Sequence, residues 1–241
     1  MKISSHADQA NPRNRPLVRR SQAERTALSD RLLTEAAIEL IVESGDQGTT
    51  LQAVGERAGY SRALATHRFG SKAGLLANVA RKAGADWVAR VEQAVGDRVG
   101  VEALCAATDA AERYIRECPN EVRALYILWF LSIDIDTEYR PNIANVHRTQ
   151  RRDVERWIRS GKAGGSVDAD ISPARVAEQY VASMAGIAYQ WLMNREMPLG
   201  LMYRQLKANL RQQLQPSRAS RTARQPSARR QAGVRAHPPA R

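Results

Sequence analysis

Cysteine is nearly absent from the 241 residues: Cys105 and Cys118 are the whole supply. Two thiols set in helix-patterned sequence make neither a disulfide framework nor a metal site, so both read as reduced packing residues. Long apolar runs are missing too. The longest, residues 124 to 133, contains a serine and is closed by Arg123 and Asp134. It is far too short to span a bilayer, which excludes a membrane helix. The first thirty residues are basic but lack an apolar segment and a small-residue cleavage site, so no secretory signal is expected and a cytoplasmic location is. Catalytic signatures are lacking as well: there is no H-E-x-x-H, no G-x-S-x-G, no glycine-rich phosphate loop and no Cys/His cluster. Asp134, Asp136 and Glu138 sit where a helix pattern stops and read as a solvated end. No enzyme activity, cofactor or metal is expected.

What the chain does have is positive charge, and it is unevenly placed. The formal net charge is +12. Residues 1 to 25 hold Lys2, Arg13, Arg15, Arg19, Arg20 and Arg25 against Asp8 and Glu24. Residues 215 to 241 hold seven arginines and no acid, which leaves the middle of the chain near neutrality. Both ends are rich in Pro, Ser, Gln and Arg and have no apolar periodicity, so segments 1–23 and 215–241 are expected to be disordered basic arms. Such arms either add affinity for polyanions or are simply solvated tails.

Between the arms, apolar residues recur at helical spacing with no strand-like alternation and no internal repeat, which predicts an all-α fold of about nine helices. Leu28, Leu32, Leu33, Ala36, Ala37, Leu40 and Ile41 form one stripe of a helix over residues 24 to 44, with Gly45 at its C-cap. Thr50 caps a short helix through Arg57, Ala58-Gly59-Tyr60 turns, and Ser61 caps a third helix reaching Phe69. Ser71 caps a longer helix over residues 72 to 94. Further helices follow over 101 to 116, 120 to 133 and 143 to 160, then a loop over 161 to 170. Ser172-Pro173 starts the eighth helix and Pro198 the ninth, which Pro216 stops.

Two short helices joined by a glycine turn, the second capped and basic, are the unit that lays a recognition helix in the DNA major groove. Val54, Ala58, Tyr60, Ala65 and Phe69 would face inward. Arg62, Ala63, Thr66 and His67 are left on the opposite face. Arg62 suits a guanine edge or a phosphate, Ala63 or Leu64 a thymine methyl, and Thr66 and His67 the sugar-phosphate chain. Lys72 adds a cation, and the helix starts at Thr50 and Ser61 offer backbone N–H groups to phosphate.

Gly45, Thr49-Thr50, Val54, Ala58-Gly59-Tyr60-Ser61 and His67-Arg68-Phe69-Gly70-Ser71-Lys72 stand in the order and spacing of the Tet repressor (TetR) family, which residues 27 to 87 resemble. Three positions depart: Gly55 stands where alanine is usual, Ala63 where glycine is common, and Thr66 where a tyrosine usually reaches a phosphate. The resemblance implies a DNA-binding domain over residues 24–71 and a helical regulatory and dimerisation domain over 72–214. It also implies a homodimer through the last two helices, and a repressor released from double-stranded operator DNA by a small molecule. Val176, Tyr180, Met184, Ile187, Trp191, Leu206 and Leu210 form stripes assigned to the dimer interface. Trp87, Tyr114, Tyr126, Trp129 and Met184 are assigned to a cavity for an apolar effector, with Phe130 and Tyr189 as further candidates; the same aromatics could equally be plain core. His6, His147 and His237 carry no such context and are given no role. The competing functional class is an architectural nucleic-acid coater driven by the arms, which would bind with steep salt dependence and little sequence preference.

Overall fold

The computed structural model describes residues 21 to 134 and 137 to 216. The basic arms therefore lie almost wholly outside the described residues, as does Asp136. Among the described residues there are nine helices and no strand: α1 (Gln22–Gly48), α2 (Leu51–Arg57), α3 (Arg62–Phe69), α4 (Lys72–Val95), α5 (Gly100–Glu117), α6 (Pro119–Asp134), α7 (Arg140–Ala163), α8 (Pro173–Met193) and α9 (Leu199–Leu214). None of these helices is long and apolar enough to cross a membrane.

Local chemistry sets the ends. Ser21 and Glu24 form a reciprocal capping box at the start of α1. Thr50, Ser61 and Ser71 each accept a backbone N–H three residues on and so start α2, α3 and α4. Gly45 interrupts α1 at φ 66°, and one further helical turn follows it. The loop expected from Gly161 begins later, because α7 runs on to Ala163. There Gly161 packs so closely on the start of α5 that a Cβ on it would lie 2.7 Å from the Gly100 Cα.

The buried residues fall into three clusters. The first joins Leu33, Ala37 and Ile41 of α1, Val54 of α2 and Ala65 of α3 to Leu75 and Val79 of α4, Leu128 of α6 and Ile143 of α7. The core thus crosses the division expected at residues 71 and 72: the first three helices are seated on α4, α6 and α7. The second and third clusters fill the space among the distal parts of α4 and α7 and helices α5, α8 and α9.

The stripes expected to form a dimer interface lie in these two clusters instead. Val176, Tyr180 and Leu210 are buried within their own chain. The Tyr180 hydroxyl donates to the Leu104 carbonyl at 3.2 Å and lies 3.1 Å from the Thr108 hydroxyl, which fixes it between α5 and α8. Met184, Ile187, Trp191 and Leu206 pack partly against the same clusters, and the Arg195 guanidinium covers the Trp191 ring at 3.8 Å. The reason is geometric: α5 and α7 pack on the apolar stripes of α8 and α9 and take up Val176, Tyr180 and Leu210 fully but Met184, Ile187, Trp191 and Leu206 only in part. What α6, α8 and α9 expose instead is Phe130, Ile133, Tyr189, Met193, Leu201 and Met202.

Candidate nucleic-acid interface and regulatory cavity

The turn between α2 and α3 is built on two glycines. Gly59 has φ 75°, a conformation that L side chains rarely adopt. Gly55 matters for close approach instead. A Cβ there would lie 3.0 Å from the Ser61 carbonyl carbon and oxygen, so its absence lets the start of α3 close on α2. The Tyr60 amide completes the join by donating to the Gly55 carbonyl at 2.7 Å. Glycine in a helix costs about 1 kcal/mol against alanine. Here that cost is set against the close crossing, since a Cβ would require the Ser61 backbone to give by a few tenths of an ångström.

Two arginines fix the pair of helices to α1. Arg57 donates to both carboxylate oxygens of Glu43, at 2.8 and 3.1 Å, and to Glu39 at 3.1 Å. These bonds hold the Glu43 carboxyl below the usual carboxylate range. Arg68 lies 3.2 Å from Asp30 and donates to Thr26 at 3.1 Å. Neither anchoring role is legible in the sequence, because the partners lie on the preceding helix, well away in the chain. The family motif marks Arg68 without saying what it does.

With α3 held this way, Arg62, Ala63, Thr66 and His67 are exposed on one face, and Ala65 is fully buried on the other. Leu64 is half-buried and packs against the first cluster, so Ala63 is the more exposed apolar residue of the pair. The Thr50 and Ser61 hydroxyls accept from the Ala53 and Leu64 amides. Lys72 is also engaged, its Nζ lying 3.2 Å from Asp46 Oδ1. An ammonium has three donors, so this pair leaves two for a phosphate. A capped, basic helix with one open polar face has the form of a major-groove reader.

The second feature is a narrow cavity of about 70 Å³, open at one side and walled by α4 to α9. All five expected residues line it: Trp87, Tyr114, Tyr126, Trp129 and Met184. Trp87 meets Tyr114 at 5.9 Å between ring centroids, and Tyr126 meets Trp129 at 4.8 Å. Phe130 and Tyr189 are not part of it. They stack edge to face at 5.3 Å beside a surface groove. His147, given no role from sequence, lines the wall 4.6 Å from Trp129, with Gln150 one turn along α7. Burial holds its imidazole pKa below the ordinary value. The available signal was its place with Gln150 on the stripe of Ile143, Val146, Val154 and Trp157.

Residues 33–79 match the family model described as bacterial regulatory proteins, tetR family. No curated protein sequence matches the chain. Solved structures do. A TetR transcriptional regulator from Chloroflexus aurantiacus J-10-FL superposes with a TM-score of 0.69 at 20% identity, covering 80% of this chain and 98% of that one. A TetR-family regulator from Rhodococcus sp. gives 0.63 at 19%, over 76% and 97%. FadR from Bacillus subtilis, solved in complex with stearoyl-CoA, gives 0.65 at 15%, over 75% and 96%. At such identities the likeness shows a shared fold. Fold and interface together define a helix-turn-helix transcriptional regulator. Residues 33–79 carry the DNA-binding segment of the TetR family, and the described chain shares the fold of that family's solved members.

Proposed function

We propose that this regulator is a homodimeric repressor that holds a palindromic operator through α3 and lets it go when an apolar small molecule fills the α4–α9 cavity. Residues 21–71 form the reading unit and 72–214 the regulatory one. Arg62 reads a base edge, Thr66, His67 and Lys72 hold phosphates, and the amides at the starts of α2 and α3 assist. The observation that carries the reading is that α4, α6 and α7 each belong both to the core under the reading unit and to the cavity wall, α7 through Ile143 and His147. At one end α4 places Leu75 and Val79 under the reading unit, and at the other it places Trp87 in the cavity wall. In α6, Leu128 lies in the same core while Tyr126 and Trp129 line the cavity. A molecule that moves that wall moves the seat of α3.

The dimer is assigned to α8 and α9, whose apolar residues Tyr189, Met193, Leu201 and Met202 are exposed outside the chain's own core. Large apolar side chains left exposed on neighbouring elements mark interaction surfaces. Two-fold symmetry then sets the operator, with half-site centres about 34 to 36 Å apart or a multiple of that. Selection from randomised duplexes followed by footprinting tests this. A palindrome with that spacing is expected, and a single asymmetric site, or no preference over random DNA, overturns it.

A further inference from the structure

The cavity wall is apolar except at a few places, and two of those are unsatisfied. The Tyr203 hydroxyl and the Trp129 indole nitrogen are both buried with no hydrogen-bond partner among the described residues. Tyr203 is 0% exposed. Neighbouring tyrosines show what is usual: Tyr126 donates to the Ala185 carbonyl at 2.8 Å, and Tyr180 is satisfied by α5. Buried polar groups are nearly always paired, because an unpaired one forfeits its hydration without return. Both groups belong to residues that line one cavity, which makes them the donors nearest to hand for a molecule bound there.

The charges of the wall narrow the chemistry. A second chamber adjoins the first and shares Trp87, Gln150, Val181 and Met184 with it. No arginine or lysine lines either chamber, and the one carboxylate, Asp153, is paired with Arg156 at 2.7 Å. An anion entering here would lose its water and find no cation to replace it. We infer that the cavity takes an uncharged, largely apolar molecule whose acceptor oxygen, of carbonyl, ester or ether type, accepts hydrogen bonds from Tyr203 and Trp129. The inference rests on the reading of this cavity as the effector site.

The test uses three probes of one shape on the full chain without DNA: methyl phenylvalerate, phenylvalerate at a pH where it is ionised, and pentylbenzene, each followed by equilibrium dialysis. The ester is expected to bind at least about tenfold tighter than the acid. Tyr203→Phe should weaken the ester about three- to tenfold and leave pentylbenzene unchanged, and Trp129→Phe should weaken the ester more than it changes pentylbenzene. Tyr203→Phe should unfold at no lower temperature than the wild type, since the hydroxyl it removes has no partner to lose. Equal binding of acid and ester, or ester affinity unchanged in both variants, overturns the chemical assignment and leaves the effector reading standing. Failure of all three probes to bind removes the apolar site itself, and with it the effector part of the proposed function.

Discussion

Arg57 and Arg68 sit in a basic, DNA-facing unit, yet both are committed to carboxylates and hydroxyls of α1. Their partners are 14 to 42 residues away, so no local pattern could show the commitment. The caps at Thr50, Ser61 and Ser71 were legible for the opposite reason: each bond spans three residues. The Arg57–Glu43 pair also has a pH signature. Its carboxyl has a depressed pKa in the folded chain, so its contribution is complete above the ordinary value of 4.5 and is lost as pH falls through the lower folded value. Thermal melts should therefore separate wild type from Arg57→Gln near neutral pH and bring the two together in acid. On the open face of α3 the expectation is a split. Arg62→Ala should relax preference at one base position by about 1 to 3 kcal/mol, whereas Lys72→Ala should weaken all sequences alike, as binding to selected and random duplexes will show. If both variants bind both duplexes as wild type does, the DNA-facing side has been misassigned.

Among the elements, α8 and α9 show what helical periodicity can and cannot tell. It marked the stripe that is buried but not the partner that buries it, and α5 and α7 were available within the same chain. The exposed apolar residues Tyr189, Met193, Leu201 and Met202 follow no heptad-like repeat that would have announced a second interface. The distinction can be measured. Leu210→Ala should cost about 2 to 4 kcal/mol of folding stability with little change in dimer affinity, because its cavity opens inside one chain. Met193→Glu, on a side chain 71% exposed, should leave stability nearly unchanged and weaken the dimer at least about tenfold. Sedimentation equilibrium and chemical unfolding of the two variants read these effects separately. A reversed pattern would return the interface to the buried stripes. In α7 the failure was of another kind: the Gly161 signal for a loop was overridden by its packing against Gly100, a contact that no window on the sequence contains.

At the scale of the molecule, the charge and the regulation lie in different places. The seven arginines after Gln215 carry charge without apolar pattern, so deletion of residues 216 to 241 should flatten the salt dependence of DNA binding and weaken nonspecific binding. The selected operator should stay the same, and an altered consensus would assign the tail a reading role. Under the proposed function, regulation travels through the core that the reading unit shares with α4, α6 and α7. The sequence made α4 legible as the lever, since one continuous pattern runs from Lys72 to Trp87. It left out α6, whose contact with α1 is tertiary. With these helices in the path, the proposed effector would change how the two recognition helices of a dimer are set, and both must fit one DNA at the same time. To lower operator affinity a hundredfold, an effector must favour the incompetent arrangement by about 2.7 kcal/mol, within the usual range of coupling between sites. Linkage then demands the reverse: operator DNA must weaken effector binding by the same hundredfold. Calorimetric titration of methyl phenylvalerate, or of any tighter ligand of the cavity, with and without saturating operator tests both directions at once. Equal affinities in the two titrations would leave a bound molecule that is no inducer, and α4 and α6 would then be structural supports and not levers.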